Sequence, residues 1–164
     1  MNTEKLLNLL ENNANLSHRE MAVILGEQEA EVSQKIKELE KSGIIKSYTT
    51  IIDWEKAKIQ KATALIEVCV TPEKDSGFDD IAATIMNFSE VESVYLMAGG
   101  YDLAVIVKGK DMADVAMFVR KRLATLDGIL STATRFILTK YKDQGIEMFD
   151  VHNPVDDRGI NFGE

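Results

Sequence analysis

Apolar residues recur at helical spacing along the first part of the chain and at strand spacing beyond it. Leu6, Leu7, Leu9 and Leu10 make one broad apolar face, which predicts a helix over Asn2–Asn12. Asn12-Asn13-Ala14-Asn15 is a turn. In Leu16-Ser17-His18-Arg19-Glu20-Met21, Ser17 is an N-cap with Glu20 at N3, and Leu16 faces Met21 as a hydrophobic staple. A second helix therefore starts at Ser17 and ends at Gly26. Val32, Ile36 and Leu39 mark a third over Glu29–Ser42, with Gly43 as its C′ glycine. The very short turn around Gly26-Glu27 makes helices two and three a helix-turn-helix. Ile44–Ile52 alternates, is rich in β-branched residues, and predicts a strand.

The pattern then changes. Asp53–Lys61 is charged and aperiodic and reads as a hinge, with Trp54 packing one domain on the other. Thr63–Thr71 is a strand stopped by Pro72. Ser76 caps a helix, with Asp79 at N3 and Phe78, Ile81, Ala82 and Ile85 inward. Strands follow over Val91–Ala98 and Leu103–Lys108, joined at Gly99-Gly100, where adjacent glycines signal a hairpin. Asp111, with Asp114 at N3, caps a helix whose inner stripe is Val115, Phe118, Val119, Leu123 and Leu126. Asp127-Gly128 ends it, and Ile129–Lys142 is a long last strand.

The order β-α-β-β-α-β is the ferredoxin-like arrangement, so the fold class is α+β. Two helices cover only one face of such a sheet. Yet Ala64-Leu65-Ile66 and Leu103–Val107 are apolar on both faces, and a second copy of the chain is the simplest cover. A homodimer is expected. Asp102, beside the hairpin, needs a cation, backbone amides or a ligand amine, or else bonds its own loop.

Composition narrows the class. The 164 residues are 45% hydrophobic and 28% charged, as in a soluble globular protein. Apolar runs are too short for a membrane span, and there is no secretory signal pattern. Cys69 stands alone, so no disulfide framework exists. A cytoplasmic location is expected. The net charge of −8 divides into −2 over residues 1–60 and −6 over 61–164. That opposes non-specific nucleic-acid binding by the whole chain but leaves room for a basic face. Arg120-Lys121-Arg122 reads as a solvated helix end. Cys69, Met86, Met97, Met112 and Met117 read as core or near-core fillers. The two histidines, His18 and His152, both lie outside the β-α-β-β-α-β body, so acid–base catalysis lacks its usual side chain there. No cofactor or metal is expected.

Gly26, the run Val32–Glu40 and Ser42-Gly43-Ile44-Ile45-Lys46-Ser47-Tyr48 resemble the winged DNA-binding domain of the Lrp/AsnC (feast/famine, leucine-responsive) regulators. The resemblance implies that the third helix enters the major groove. Ser33, Gln34 and Lys37 would then face bases, and Lys35, Lys41 and Lys46 phosphates. Glu27-Gln28 replaces the usual N-terminal cap, and Glu29, Glu31, Glu38 and Glu40 interleave with the bases. Binding per protomer is expected to be weak and salt-sensitive, and to be rescued by multiplying sites.

The resemblance extends to about residue 142. Ala98-Gly99-Gly100-Tyr101-Asp102 is similar to the family's Gly-x-Tyr-Asp loop, and Gly128-Ile129 with Thr132 and Thr134 to its last-strand segment. It implies face-to-face dimers assembling to tetramers or octamers, with an amino acid bound between dimers. Gly99, Gly100 and Tyr101 would offer backbone groups, Asp102 would meet the α-ammonium, and Thr132 and Thr134 would supply hydroxyls. Gly100 stands where many members carry a larger side chain.

The expected organisation is a winged helix-turn-helix over 1–52, a hinge over 53–61, a ferredoxin-like effector and oligomerisation domain over 62–142, and a C-terminal extension over 143–164. Ile146–Val151 has the pattern of one more short strand. The expected function is transcription regulation through double-stranded DNA and a small effector. The alternatives are a sensor without DNA binding and an enzyme resembling siroheme decarboxylases, which share the architecture.

Overall fold

A computed structural model describes residues 2–72 and 77–149. The chain divides into two compact units, Met1–Thr50 and Ile51–Glu164.

The first unit holds α1 (Thr3–Asn12), α2 (His18–Leu25) and α3 (Glu29–Lys41). Each boundary has a local cause. Asn2 caps α1 by accepting from the Lys5 amide at 3.2 Å. At α2, the Glu20 amide donates to Ser17 Oγ at 3.2 Å, and the Ser17 amide donates back to Glu20 Oε2 at 2.8 Å. The Ser17 hydroxyl bond holds the Glu20 carboxyl below its usual range. Gly26 ends α2 at φ 69°, a left-handed turn that a Cβ would strain. Gln28 offers α3 no side-chain cap. Leu6, Leu10, Met21, Ala22, Val32, Ile36 and Leu39 close into one core.

The strand expected over Ile44–Ile52 is absent among the described residues. Its first two residues serve α3 instead. Gly43 turns at φ 72°, and the Ile44 and Ile45 amides both donate to the Leu39 carbonyl, at 3.0 and 3.2 Å. The rest runs on without a partner strand, leaving Ile44, Tyr48 and Ile52 exposed. Alternation supplies the side-chain pattern of a strand, but only a neighbour supplies the ladder.

In the second unit, β1 (Ala62–Val70), β2 (Val91–Leu96), β3 (Leu103–Gly109) and β4 (Ile129–Ile137) pair antiparallel in the order β2-β3-β1-β4. Two helices, α4 (Asp79–Met86) and α5 (Met112–Phe118), belong to the same core. Ala64, Ile66, Val68 and Val70 alternate inward on β1, as do Leu103, Val105 and Val107 on β3. Asp111 caps α5 by accepting from the Asp114 amide at 2.8 Å. Beyond Phe118 the helix loosens into a π turn, Val119–Leu123, where the Ala124 amide reaches the Val119 carbonyl at 2.8 Å. Leu123, four residues after Val119, lies on the inner stripe and is fully buried.

Several expectations are corrected here. Ser76 lies outside the described residues, and α4 starts at Asp79 with Phe78 at its N-cap and no side-chain cap bond. The last strand ends at Ile137, not Lys142, because its final partner is Thr63 at the start of β1. Lys142 instead opens a small hairpin, β5 (Lys142–Asp143) with β6 (Ile146–Glu147), turned by Gln144 and Gly145 at φ 46° and 85°. The four methionines are exposed rather than core fillers; Met117 falls opposite Val115 on α5. The second sheet face is not wholly apolar. Leu65, Cys69, Ala104 and Ile106 lie on it, but the Glu67–Arg135 ion pair crosses it. Among the described residues no helix is long and apolar enough to cross a membrane.

Candidate functional site

Two surfaces carry the residues singled out from the sequence. The first lies on α3, whose rotation is fixed by buried Val32, Ile36 and Leu39. At 100° per residue the opposite ridge holds Gln34, Lys37 and Lys41, all exposed. Ser33 and Lys35 fall on opposite flanks and are half-buried. Lys46 follows the helix and returns over Gly43, where an added Cβ would meet its Nζ at 3.2 Å. The six residues therefore do not form one cluster: three share a ridge, two flank it, and one sits at the helix end.

The acids of α3 divide by role. Glu29 and Glu31 lie in the first turn, where the helix dipole favours them. Glu40 accepts from the Tyr48 hydroxyl at 2.9 Å. Burial, then this bond, pushes the Tyr48 phenol above 10.0. Glu38 accepts from Gln34 Nε2 at 3.3 Å and from Lys35 Nζ at 3.4 Å. From the sequence, Glu38 reads only as one of four acids interleaved with the basic residues of α3. The signal passed over is the spacing i, i+4 from Gln34 and i, i+3 from Lys35.

The second surface is the loop between β2 and β3. It is wider than the glycine pair suggested: β2 stops at Leu96, and the Met97 amide donates to the Asp102 carbonyl at 2.8 Å. Asp102 is fixed three ways, because its own amide donates to Val68 O at 3.0 Å and its Oδ2 accepts from the Val70 amide at 2.9 Å. The Val70 amide is open to the carboxylate because the β1–β3 ladder ends at Val68–Leu103, two residues earlier. Gly99 and Gly100 are exposed, and a Cβ on either would meet nothing within 4 Å.

Across β1 lies the start of β4. Val68 pairs Leu103 on one side and Thr132 on the other, while Thr134 pairs Ile66. The glycine loop and Thr132 thus share one end of the sheet, about 10 Å apart by strand spacing. Thr132 is half-buried, and Thr134, two pairs further in, is exposed. Nearby, Arg135 Nε and Nη2 donate to Glu67 at 2.7 and 3.0 Å. The guanidinium bond holds the Glu67 carboxyl low, and the same bond raises Arg135. Among the described residues no group of His, Cys, Asp and Glu is placed to hold a metal ion.

Comparison with known proteins finds a match for each half of the chain. Residues 2–46 match the winged helix-turn-helix DNA-binding family, and residues 63–146 match the Lrp/AsnC ligand binding domain. The HTH-type transcriptional regulator YugG of Bacillus subtilis (strain 168) is 46% identical over 147 residues, covering 87% of this chain and 89% of that protein. Among solved structures, the transcriptional regulator NMB0573 of Neisseria meningitidis, determined as its L-Met complex, superposes with a TM-score of 0.69 at 25% identity, over 85% of this chain and 89% of that one. PH0061 superposes with a TM-score of 0.74 at 24% identity, over 89% and 95%. With a helix-turn-helix, a ferredoxin-like ligand-binding domain and these relatives, the chain belongs to the Lrp/AsnC family of transcriptional regulators.

Proposed function

We propose that this regulator responds to an amino acid bound at the Gly99–Asp102 loop together with Thr132 and Thr134, and that α3 reads operator DNA. The observation that carries the effector reading is the loop itself. It exposes two glycine backbones and holds the Asp102 carboxylate beside them, at the sheet end where β4 brings Thr132. A carboxylate suits the α-ammonium, and open glycine backbone leaves room for the rest of the ligand. The relative solved with L-Met supports trying methionine first.

On α3, Ser33, Gln34 and Lys37 face bases, while Lys35, Lys41 and Lys46 meet phosphates. The protein acts in the cytoplasm as a homodimer that assembles further to a tetramer or octamer. Leu65, Cys69, Ala104 and Ile106 on the second sheet face support such a pairing. Effector binding shifts the balance between assemblies that hold the recognition helices at different spacings, to the extent that its affinity differs between them.

A thermal-shift screen across the twenty amino acids tests the effector reading. A true effector at a hundredfold excess over its Kd adds about 2.7 kcal/mol to the folded state. No shift with any of the twenty sinks it. A mobility-shift assay on the protein's own promoter region at low salt tests the DNA reading, and its failure favours a sensor that has lost DNA binding. The regulator names of the relatives support a non-catalytic role. A Soret band on tetrapyrrole titration would reverse that.

A further inference from the structure

We propose that Glu38 is a positioning residue that makes Gln34 read adenine. The inference rests on α3 being the helix that enters the groove. Three acids of that helix have an account: Glu29 and Glu31 favour the dipole at its start, and Glu40 is held by Tyr48. Glu38 has none of these. It lies in the last turn, where a carboxylate opposes the dipole, and it sits next to the exposed ridge a phosphate backbone would approach.

Its contacts give it a role. A carboxylate can only accept, so the Gln34 atom 3.3 Å from Glu38 is the amide nitrogen and not the carbonyl oxygen. The flip of this side chain is thereby fixed. With one N–H engaged by Glu38, the arrangement we infer has the hydrogen trans to the carbonyl donated there, leaving Oε1 and the cis N–H side by side. Those two groups match adenine N6–H and N7 in the major groove. A Gln34 amide free to rotate also presents both N–H groups to guanine N7 and O6, and the two purines are then less well told apart. Lys35, 3.4 Å away on the other side, offsets the Glu38 charge, so the carboxylate orients Gln34 with less repulsion of phosphates.

The test is selection from a randomised duplex pool by the full chain, followed by competition binding at fixed salt. The wild type should enrich a motif with adenine at one position per half-site, and Gln34→Ala should lose that preference. Glu38→Ala should keep purine enrichment there but cut the adenine-over-guanine ratio by roughly fivefold or more, the low end of a bidentate base contact. Glu38→Gln retains a carbonyl to accept from Gln34, so it should keep the ratio while binding every sequence more tightly. Glu31→Gln removes the same charge without touching Gln34 and should tighten binding with no change of motif. A Glu38→Ala motif with the wild-type ratio overturns the inference and leaves the DNA reading standing. A wild-type pool that enriches nothing at low salt overturns the DNA reading, and this inference with it.

Discussion

The two candidate surfaces are built by opposite means. At the β2–β3 loop Asp102 is locked by three bonds to the main chain at 2.8 to 3.0 Å, one of them through its carboxylate. On α3 the core fixes the helix, but Gln34, Lys35 and Glu38 on its exposed side are held by one another, at 3.3 and 3.4 Å. The loop is therefore pre-organised, and altering it alters the fold. The helix surface is adaptable, and altering it alters recognition alone. The candidate ligand site and the candidate reading surface should thus carry different mutational signatures.

The sharpest way to break this contrast is at Asp102. Asp102→Ala should abolish the thermal and mobility-shift response to effector. It also strips the Val70 amide of its half-buried acceptor, which should cost about 1 kcal/mol in urea denaturation. Asp102→Asn keeps an acceptor for Val70 but no charge for an ammonium, so it should recover the stability and not the response. Equal recovery of both would collapse the distinction. On α3 the expected outcome is the reverse: Lys37→Ala weakens DNA binding by ~1–3 kcal/mol with an unchanged melting temperature. A loss of stability there would show that the helix surface is not independent of its core.

Smaller effects probe the frames beneath. Ser17→Ala removes a capping box and should lower stability by about 1 kcal/mol, read by chemical denaturation. Glu67 is held below its ordinary 4.5 by Arg135, so its contribution is complete above the unfolded value and is lost as pH falls through the lowered folded value. The melting-temperature gap between wild type and Glu67→Gln should stay level down to about pH 5 and close in stronger acid. A gap that widens on acidification would reject the ion pair as its cause.

What was legible in the sequence follows the range of the forces involved. The Ser17–Glu20 box, the left-handed turns at Gly26 and Gly43, and the Asp111 cap span three or four residues, and each stands where the sequence put it. Strand ends are set by partners instead. Ile44–Ile52 has a strand's composition and no ladder, and the last strand stops with Thr63 rather than at its own breaker. The four methionines were assigned inward by residue type, when helix phase and the ends of the sheet decided otherwise. Glu67 and Arg135 are 68 residues apart, so nothing local announces their pairing. At Asp102 the sequence offered a turn bond or a ligand group. The fold supplies neither a bond to its own loop nor a cation but the amide of Val70 on β1, just past the last β1–β3 pair.

That same physics bears on the π turn at Val119–Leu123. A π turn holds one residue more than an α turn for nearly the same advance of the helix. It works as a vernier, taking up a residue of surplus chain while Leu123 stays inward and Gly128 still delivers β4 to the edge of β1. An insertion or deletion at this point can be absorbed by tightening or loosening one turn, with Thr132 and Thr134 left in register. The length of this helix is thus free to drift over generations without carrying the candidate effector residues with it.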